Sequence, residues 1–117
     1  MNDWHDSQPI YLQVRERVVQ RILYGTLAEG DAVPSVRQVS AEEKINPITV
    51  SKAYQMLADE GLVEKRRGLG MFVTKGARSR ALEQERAQFL EHEWPLITKR
   101  IESLGLSTSD LLAGGAR

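Results

Sequence analysis

The chain has 117 residues, enough for one domain and a short appendage but not for a second, ligand-binding domain of ordinary size. Its hydrophobic fraction is 41% and its charged fraction 27%, which is typical of a globular protein and not of a disordered chain. The absence of cysteine excludes disulfides, zinc sites built on thiolates and cysteine nucleophiles. No uncharged apolar run approaches the roughly 20 residues that span a bilayer, and the first residues lack the basic and apolar regions of a signal peptide. We therefore expect a cytoplasmic protein with no membrane partner.

The charge balance argues at first against a nucleic-acid partner, because nucleic-acid-binding proteins usually carry a basic excess. The formal net charge is zero, with ten basic and ten acidic residues up to residue 76 and six of each after it. A local basic strip can nevertheless neutralise phosphates while acidic residues face elsewhere. The question is therefore where the basic residues lie.

The first predicted element is an amphipathic helix that begins at Pro9 and ends at Gly25. Apolar residues recur there at three- and four-residue spacing, at Tyr11, Val14, Val18, Ile22 and Leu23. Proline is well tolerated in a first turn, and glycine is a common stop signal. The turn-rich segment that follows predicts one short extended piece at Ala32 and Val33.

A second helix is expected to run from Val36 to about Glu43. Ser35 and Gln38 have the spacing of a capping box, in which the Ser35 hydroxyl accepts a backbone N–H and the Gln38 side chain reaches back to the cap. The element is short, so its amino-terminal cap matters for its stability.

A third helix starts almost at once, after only Lys44 and Ile45. Asn46 can cap it, and Pro47 can occupy the first helical position, where a missing N–H costs little. The predicted end is Gly61. Two helices joined by so tight a connection are typical of a helix-turn-helix.

A β-hairpin is predicted after the third helix. Residues 62–66 and 71–74 are two short strand candidates, and the segment between them, 67–70, contains the glycines that a tight turn needs. The hairpin would form a wing beside the two helices.

The remainder of the chain, from Arg78, has a helical pattern. Apolar residues alternate four- and three-residue steps as on a coiled-coil seam, at Leu90, Trp94, Ile97, Ile101 and Leu104. Pro95 cannot donate to the carbonyl of Glu91, which predicts a kink or break and two helical pieces. Ser107 is expected to cap a last short turn. The stripe requires a cover, which is either a second copy of the chain or the back of the first domain.

The predicted fold is therefore mainly α with a small β-hairpin wing. A winged helix-turn-helix domain is expected over residues 8–76, followed by C-terminal dimerisation helices over residues 77–117.

The third helix has two faces of different character. Val50, Ala53, Tyr54 and Leu57 lie on one face and are expected to pack on the other helices. The opposite face carries Ile48, Ser51, Lys52 and Gln55, with Thr49 at its flank. In a major groove, Lys52 can reach guanine or a phosphate, Ser51 and Thr49 can bond to bases or phosphates, and Gln55 can read adenine. An exposed isoleucine suits a thymine methyl group. The alternative interpretation is an ordinary solvated helix face.

Further basic residues lie on the neighbouring elements. Arg37 begins the second helix, where it would cross the DNA backbone, and Lys65, Arg66 and Arg67 place positive charge on the wing. Together with Lys52 they form the local basic strip. Charges at a strand end can also serve only to protect a sheet edge from aggregation.

Signals of catalysis and metal binding are weak. The chain offers no nucleophile with a partnered base and no phosphate loop, since Gly68 and Gly70 lie in a hairpin. His92 lies between Glu91 and Glu93, but adjacent residues on a helix point in different directions. His5 lies in a polar leader. We expect neither a catalytic site nor a metal or cofactor.

Residues 9–74 resemble the amino-terminal domain of GntR-family bacterial regulators, most closely the YtrA-type subfamily. The resemblance rests on the blocks PIYLQV, GxLxxGDxVPSVRQ and INPITVSKAYQMLADEGLVEKRRGLGMFV and on their spacing. It implies a winged helix-turn-helix in which Ser35 and Arg37 lie at the DNA backbone or bases, residues 46–52 including Asn46 enter the major groove, and the tip from Gly68 to Gly70 reaches the minor groove. Other branches place an arginine where this chain has Pro47, which we interpret as structural.

The short helical tail also resembles that of the YtrA-type subfamily, which implies dimerisation through the tail. Two-fold pairing predicts a palindromic double-stranded DNA operator. The resulting hypothesis is a homodimeric transcriptional regulator, most simply a repressor, with an effector that the sequence does not identify. The alternative is a winged-helix module that docks proteins and has no salt-sensitive DNA affinity.

Overall fold

The computed structural model describes residues 4–114, so the last three residues of the expected tail lie outside the described part. Its elements follow in the order α1 (Ile10–Tyr24), α2 (Val36–Glu43), α3 (Pro47–Asp59), β1 (Val63–Arg66), β2 (Gly70–Val73), α4 (Ala77–Gln88), a π-helical turn (Phe89–Glu93), α5 (Trp94–Ser103) and α6 (Thr108–Leu112). The chain divides into two compact units, the first ending at Leu82 and the second beginning at Glu83. The sequence-based boundary after residue 76 falls at the start of α4, whereas this division falls inside it.

Helix α1 has the predicted bounds and packs its apolar face into the core of the first unit. Pro9 precedes it, and Gly25 ends it in the left-handed conformation at φ 85°. The predicted inward residues Val14, Val18 and Ile22 are buried. They join a core that α3, the strands and the first turns of α4 complete. Burial of such side chains contributes about 1.5–3 kcal/mol each, which is why periodicity predicts the helix well.

Helix α2 begins and ends as predicted, but only one of the two hydrogen bonds expected for its capping box is present. The Ser35 hydroxyl accepts the backbone N–H of Gln38 at 3.0 Å. The Gln38 side chain, however, donates to Glu42 at 3.4 Å instead of reaching back to the cap. A charged carboxylate one turn ahead, at a place set by the helix itself, is a strong acceptor for the Gln38 amide N–H.

Strands β1 and β2 form the predicted antiparallel hairpin. Val63 pairs with Val73 and Arg66 with Gly70, so three residues form the turn. The predicted extended piece is present as an isolated bridge between Ala32 and Phe72. Because this segment precedes α2, the bridge ties the hairpin to the entry of the helix-turn-helix.

The first turns of α4 are tied to the ends of α3 and of the hairpin through Arg80. Its guanidinium donates to the Gly61 carbonyl at 3.1 Å, to the Thr74 hydroxyl at 2.8 Å and to the Lys75 carbonyl at 2.7 Å. A Cβ at Gly76 would lie 3.1 Å from Arg80 Nη1, and this glycine has φ 80°. Glycine at position 76 therefore provides both the turn and the space for the guanidinium.

The second unit contains the predicted interruption before Pro95. It takes the form of a π-helical turn, in which the Trp94 N–H bonds to the Phe89 carbonyl five residues earlier. The changed hydrogen-bond register precedes the position at which Pro95 has no N–H to offer. The expected last turn is also present, with the Ser107 hydroxyl accepting the Asp110 N–H at 3.2 Å.

Tyr54 links α3 to the segment that leads into α2. Its side chain is buried, and its hydroxyl donates to the Pro34 carbonyl at 2.6 Å. Burial raises the pKa of Tyr54 to about 12, an effect that the positive charge of Arg21 opposes. The neutral phenol is thus the form that the fold stabilises.

We expect Tyr54→Phe to lower the free energy of unfolding at neutral pH by about 1 kcal/mol, because the Pro34 carbonyl loses its donor. From pH 10 to 12 an unfolded Tyr54 releases its proton while the folded one keeps it, so wild-type stability falls as pH rises. The slope from this group is at most about 1.4 kcal/mol per pH unit. Urea unfolding of both proteins at pH 8 and pH 11 tests this. A wild-type advantage that is the same at both pH values would contradict it.

Candidate nucleic-acid interface

The residues predicted to contact DNA all lie in the first unit, on α2, α3 and the hairpin or immediately before these helices. Twelve of the thirteen are exposed, and Thr49 is half-buried. The opposite face of α3 is buried as predicted, with Val50, Ala53, Tyr54 and Leu57 each at most 3% exposed. The predicted division of α3 into an inner and an outer face is therefore confirmed.

The amino ends of α2 and α3 are both capped by side chains of the predicted set. Ser35 caps α2, and Asn46 Oδ1 accepts the backbone N–H of Ile48 at 2.8 Å. Pro47 occupies the first turn of α3, in agreement with its structural interpretation. Ser35 and Asn46 thus have a structural role, and their contact with DNA stays a prediction.

The outer face of α3 begins with an apolar residue and ends with an acidic one. Ile48 is 75% exposed. Near the carboxyl end, the Gln55 amide donates to Asp59 at 2.9 Å. The Gln55 amide nitrogen keeps a second N–H, and its amide oxygen can accept, so the bond to Asp59 leaves groups available for an adenine. The Asp59 carboxylate at the last residue of α3 would repel phosphates near that end of the helix.

Lys52 leans from the outer face of α3 toward α1. Its ammonium lies 4.0 Å from the centroid of the Tyr11 ring, in a cation–π contact. Sequence reasoning assigned Tyr11 only to the apolar face of α1 and missed this contact. The Tyr11 side chain is half-buried, so its ring contributes both to the core and to the protein surface.

On the wing, the three predicted cations differ in their surroundings. Arg66 bonds to Glu64 at 3.3 Å and stacks over the Phe72 ring at 4.4 Å. The side chains of Lys65 and Arg67 are exposed and make no hydrogen bond or ion pair within the described part of the chain. Gly68 forms the turn at φ 76°. The wing thus carries two fully available charges.

Two more unpaired cations lie on the helix-turn-helix. Within residues 4–114, the side chains of Arg37 and Lys44 are exposed and have no hydrogen-bond or ion-pair partner. Lys44 ends α2 in the left-handed conformation, at φ 57° and ψ 47°. Sequence analysis placed Lys44 in the turn without assigning it a function. The sequence signal that could have identified Lys44 is a basic residue between two capped helices.

Although the net charge of the chain is zero, this surface is not neutral, because arginines of α1 neutralise several of the acidic residues. Arg15 bonds to Glu60 at 2.9 Å, and Arg17 bonds to Glu43 at 3.3 Å. Arg15 and Arg17 of α1 are thus used inside the protein, whereas the side chains of Arg37, Lys44, Lys65 and Arg67 remain available. The local basic strip expected from the sequence is compatible with a net charge of zero.

The histidines do not form a metal centre in the described part of the chain. Over residues 4–114, no three histidine, aspartate or glutamate side chains are grouped so that they could hold a metal ion. The His5 imidazole contacts the Ser7 hydroxyl, and His92 lies exposed in the π-helical turn. Over the same range, no helix is long and apolar enough to cross a membrane.

Comparison with known proteins identifies the domain that carries this surface. The family model for bacterial regulatory proteins of the gntR family matches residues 10–73, which include the helix-turn-helix and the hairpin. The chain belongs to the gntR family. The resemblance noted from the sequence motifs is thereby confirmed.

Relatives of this gntR-family chain extend over its second unit as well. It is 31% identical over 113 residues to the uncharacterised HTH-type transcriptional regulator YhcF of Bacillus subtilis, covering 97% of this chain and 92% of YhcF. It is 36% identical over 95 residues to the HTH-type transcriptional repressor YtrA of Bacillus subtilis, covering 81% of this chain and 73% of YtrA.

A solved structure agrees with the fold. A GntR family transcriptional regulator from Listeria monocytogenes superposes with a TM-score of 0.77 at 27% identity, covering 94% of this chain and 95% of that one. The winged helix with C-terminal helices is therefore confirmed, and the gntR-family chain is a DNA-binding transcriptional regulator.

Two substitutions of the capping residue Asn46 distinguish its effect on stability from its effect on DNA binding. We expect Asn46→Ala to lower the free energy of unfolding by about 1 kcal/mol. Asn46→Asp should keep the stability, because a carboxylate accepts the same N–H and is favoured at a helix amino end. Its negative charge should nevertheless weaken binding to a mixed-sequence duplex. If Asn46→Asp bound that duplex as tightly as wild type, the amino end of α3 would not face DNA.

Proposed function

We propose that this regulator is a non-catalytic repressor that binds a palindromic operator as a homodimer. The observation that carries the proposal is the set of unpaired cations on α2, the turn and the wing, beside the exposed outer face of α3. A protein-docking winged helix has no need for unpaired cations on all three elements. DNA binding does, because each neutralised phosphate releases counterions and strengthens association.

In this proposal the amino-terminal part of α3 lies in the major groove. Ile48 contacts base edges, Ser51 and Thr49 bond to bases or phosphates, and Gln55 contacts a base. Ser35 and Arg37 approach the backbone at the start of α2, and Asn46 orients the amino end of α3. The wing, with Lys65, Arg66, Arg67, Gly68 and Gly70, approaches the neighbouring minor groove, where a glycine-containing turn is thin enough to enter.

The regulatory sign is proposed from a relative. The Bacillus subtilis YtrA is named a transcriptional repressor, and it aligns with 81% of this chain. A dimer bound over a promoter represses by excluding polymerase, which requires no catalytic residue and no cofactor. We place this action on DNA in the cytoplasm.

We expect Arg37→Ala to weaken operator binding, because an unpaired guanidinium at the start of α2 loses its DNA contact. The loss is about 1 to 3 kcal/mol for a contact with a base, whereas loss of a phosphate contact weakens binding to all sequences alike and reduces the salt slope. The operator is first obtained by selecting a randomised duplex library with the wild-type chain. Binding is then measured by fluorescence anisotropy over a salt series. Arg86→Ala, which removes an exposed cation from α4, is the matched control and should bind as wild type.

Enrichment of a palindrome with a steep negative salt dependence supports the proposed function. Weak and uniform binding to every duplex would refute sequence-specific DNA binding and favour a protein partner. If Arg37→Ala bound the operator as tightly as Arg86→Ala, α2 would not be part of the binding surface.

The second unit supports the homodimer. It has no buried residue among those described, and its apolar stripe includes Leu90 at 61%, Ile97 at 40% and Leu104 at 54% exposure. Trp94 and Ile101 are half-buried, and the Phe89 ring, which sequence analysis left out of the stripe, lies 6.1 Å from the Trp94 ring. Covering this stripe with the same stripe of a second copy buries apolar surface on both chains.

We expect Trp94→Ala and Ile101→Glu to convert the dimer to monomer, because both remove the central part of the apolar stripe. Sedimentation equilibrium measures the mass. The control is Ile48→Glu, which places a carboxylate at an exposed isoleucine of the first unit and should remain dimeric. Dimers in both stripe variants would contradict the assignment of this surface.

A further inference from the structure

We propose that Tyr11 is a positioning residue of the DNA-binding surface, which holds the Lys52 ammonium for contact with a DNA phosphate at the edge of the groove. The inference rests on the proposed DNA-binding function and deepens it. It assigns a role to a residue of α1 that lies outside the helix-turn-helix, and it selects phosphate over guanine as the group that Lys52 contacts.

The first argument is the way in which Lys52 is held. Its ammonium lies over the Tyr11 ring at 4.0 Å, and within the described residues it makes no ion pair. A carboxylate in the place of Tyr11 would also fix the ammonium, but it would cancel its charge. An aromatic face orients a cation through its quadrupole and leaves the positive charge available.

The second argument concerns the entropy of the side chain. A free lysine side chain has many rotamers and loses much of this entropy when it is ordered. Tyr11 is itself fixed, because it is half-buried and packs against the core of the first unit. The contact therefore orders Lys52 before DNA arrives, and less entropy is lost on binding.

The third argument is the direction in which Lys52 points. Ile48 and Gln55 lie opposite the buried residues, at the centre of the outer face of α3, and the backbone position of Lys52 is next to them. The Lys52 side chain is turned away from that centre toward α1, since its ammonium reaches the ring of Tyr11. A helix in a major groove presents the centre of its outer face to base edges and its flanks to the sugar-phosphate strands. Lys52 thus faces a phosphate.

The test compares Tyr11→Leu, Tyr11→Phe and Lys52→Ala on a mixed-sequence duplex and on the duplex selected by wild type. We expect Tyr11→Leu to weaken binding to both duplexes about three- to tenfold, because the Lys52 side chain is then ordered only when DNA binds. Tyr11→Phe should bind as wild type, because phenylalanine keeps the ring. Lys52→Ala should reduce the slope of log affinity against log salt by about 0.9, as expected for one lost phosphate contact.

The decisive measurement is the double variant. In a Lys52→Ala background, Tyr11→Leu should cause no further loss of affinity, because it acts only through Lys52. An additional loss in that background, or a loss in Tyr11→Phe equal to that in Tyr11→Leu, would show a direct contact of Tyr11 with DNA and overturn the proposal. If Lys52→Ala reduced the affinity for the selected duplex alone, Lys52 would contact a base, and the proposal would be overturned as well.

Packing effects are controlled with Leu23→Ala, which removes another half-buried side chain of α1 that packs against the core. This variant should lose stability in urea and keep DNA affinity while folded. A Tyr11→Leu variant that behaves in the same way refutes the positioning role. Failure of the proposed function is distinguishable, because wild type itself would then show no salt-dependent DNA binding.

Discussion

The packing of one face of α3 against the core is the constraint on which the rest of the structure depends. Val50, Ala53 and Leu57 have no exposed surface, and each lost buried side chain of this kind costs about 2 to 5 kcal/mol unless the site collapses. Rotating α3 by one residue would bury Ser51 and expose Leu57. The outward direction of the α3 side chains proposed to contact DNA is therefore set by residues that do not contact it.

Elements governed by local chemistry were predictable from the sequence. The bounds of α1 and α2, the caps Ser35 and Asn46, and the inner face of α3 follow from periodicity and from orphan backbone groups. The contacts of long polar side chains were not predictable. Lys52 stacks on a residue 41 positions earlier in the chain, and Gln38 and Gln55 choose carboxylates on their own helices. The Lys52 contact depends on tertiary packing, and the two glutamine contacts depend on which of several nearby polar groups each amide takes as its partner.

Charge in the first unit is organised by pairing rather than by composition. Arg15 and Arg17 lie on α1 and bond to Glu60 and Glu43, which follow or end the two helices of the helix-turn-helix. Partly exposed pairs of this kind contribute little to stability. Their effect on the surface is larger, because they remove negative potential from the helices whose remaining cations are unpaired.

The three hydrogen bonds of Arg80 have a mechanical consequence. One guanidinium joins the first turns of α4 to the residue that follows α3 and to the residues that follow β2. A change in the position of the first turns of α4 would therefore act on the end of α3 and on the end of the hairpin through the same side chain. That guanidinium lies against Gly61 and Gly76, where a Cβ would come within 3.4 Å and 3.1 Å of its nitrogens, so a larger residue at either position would disturb both connections together.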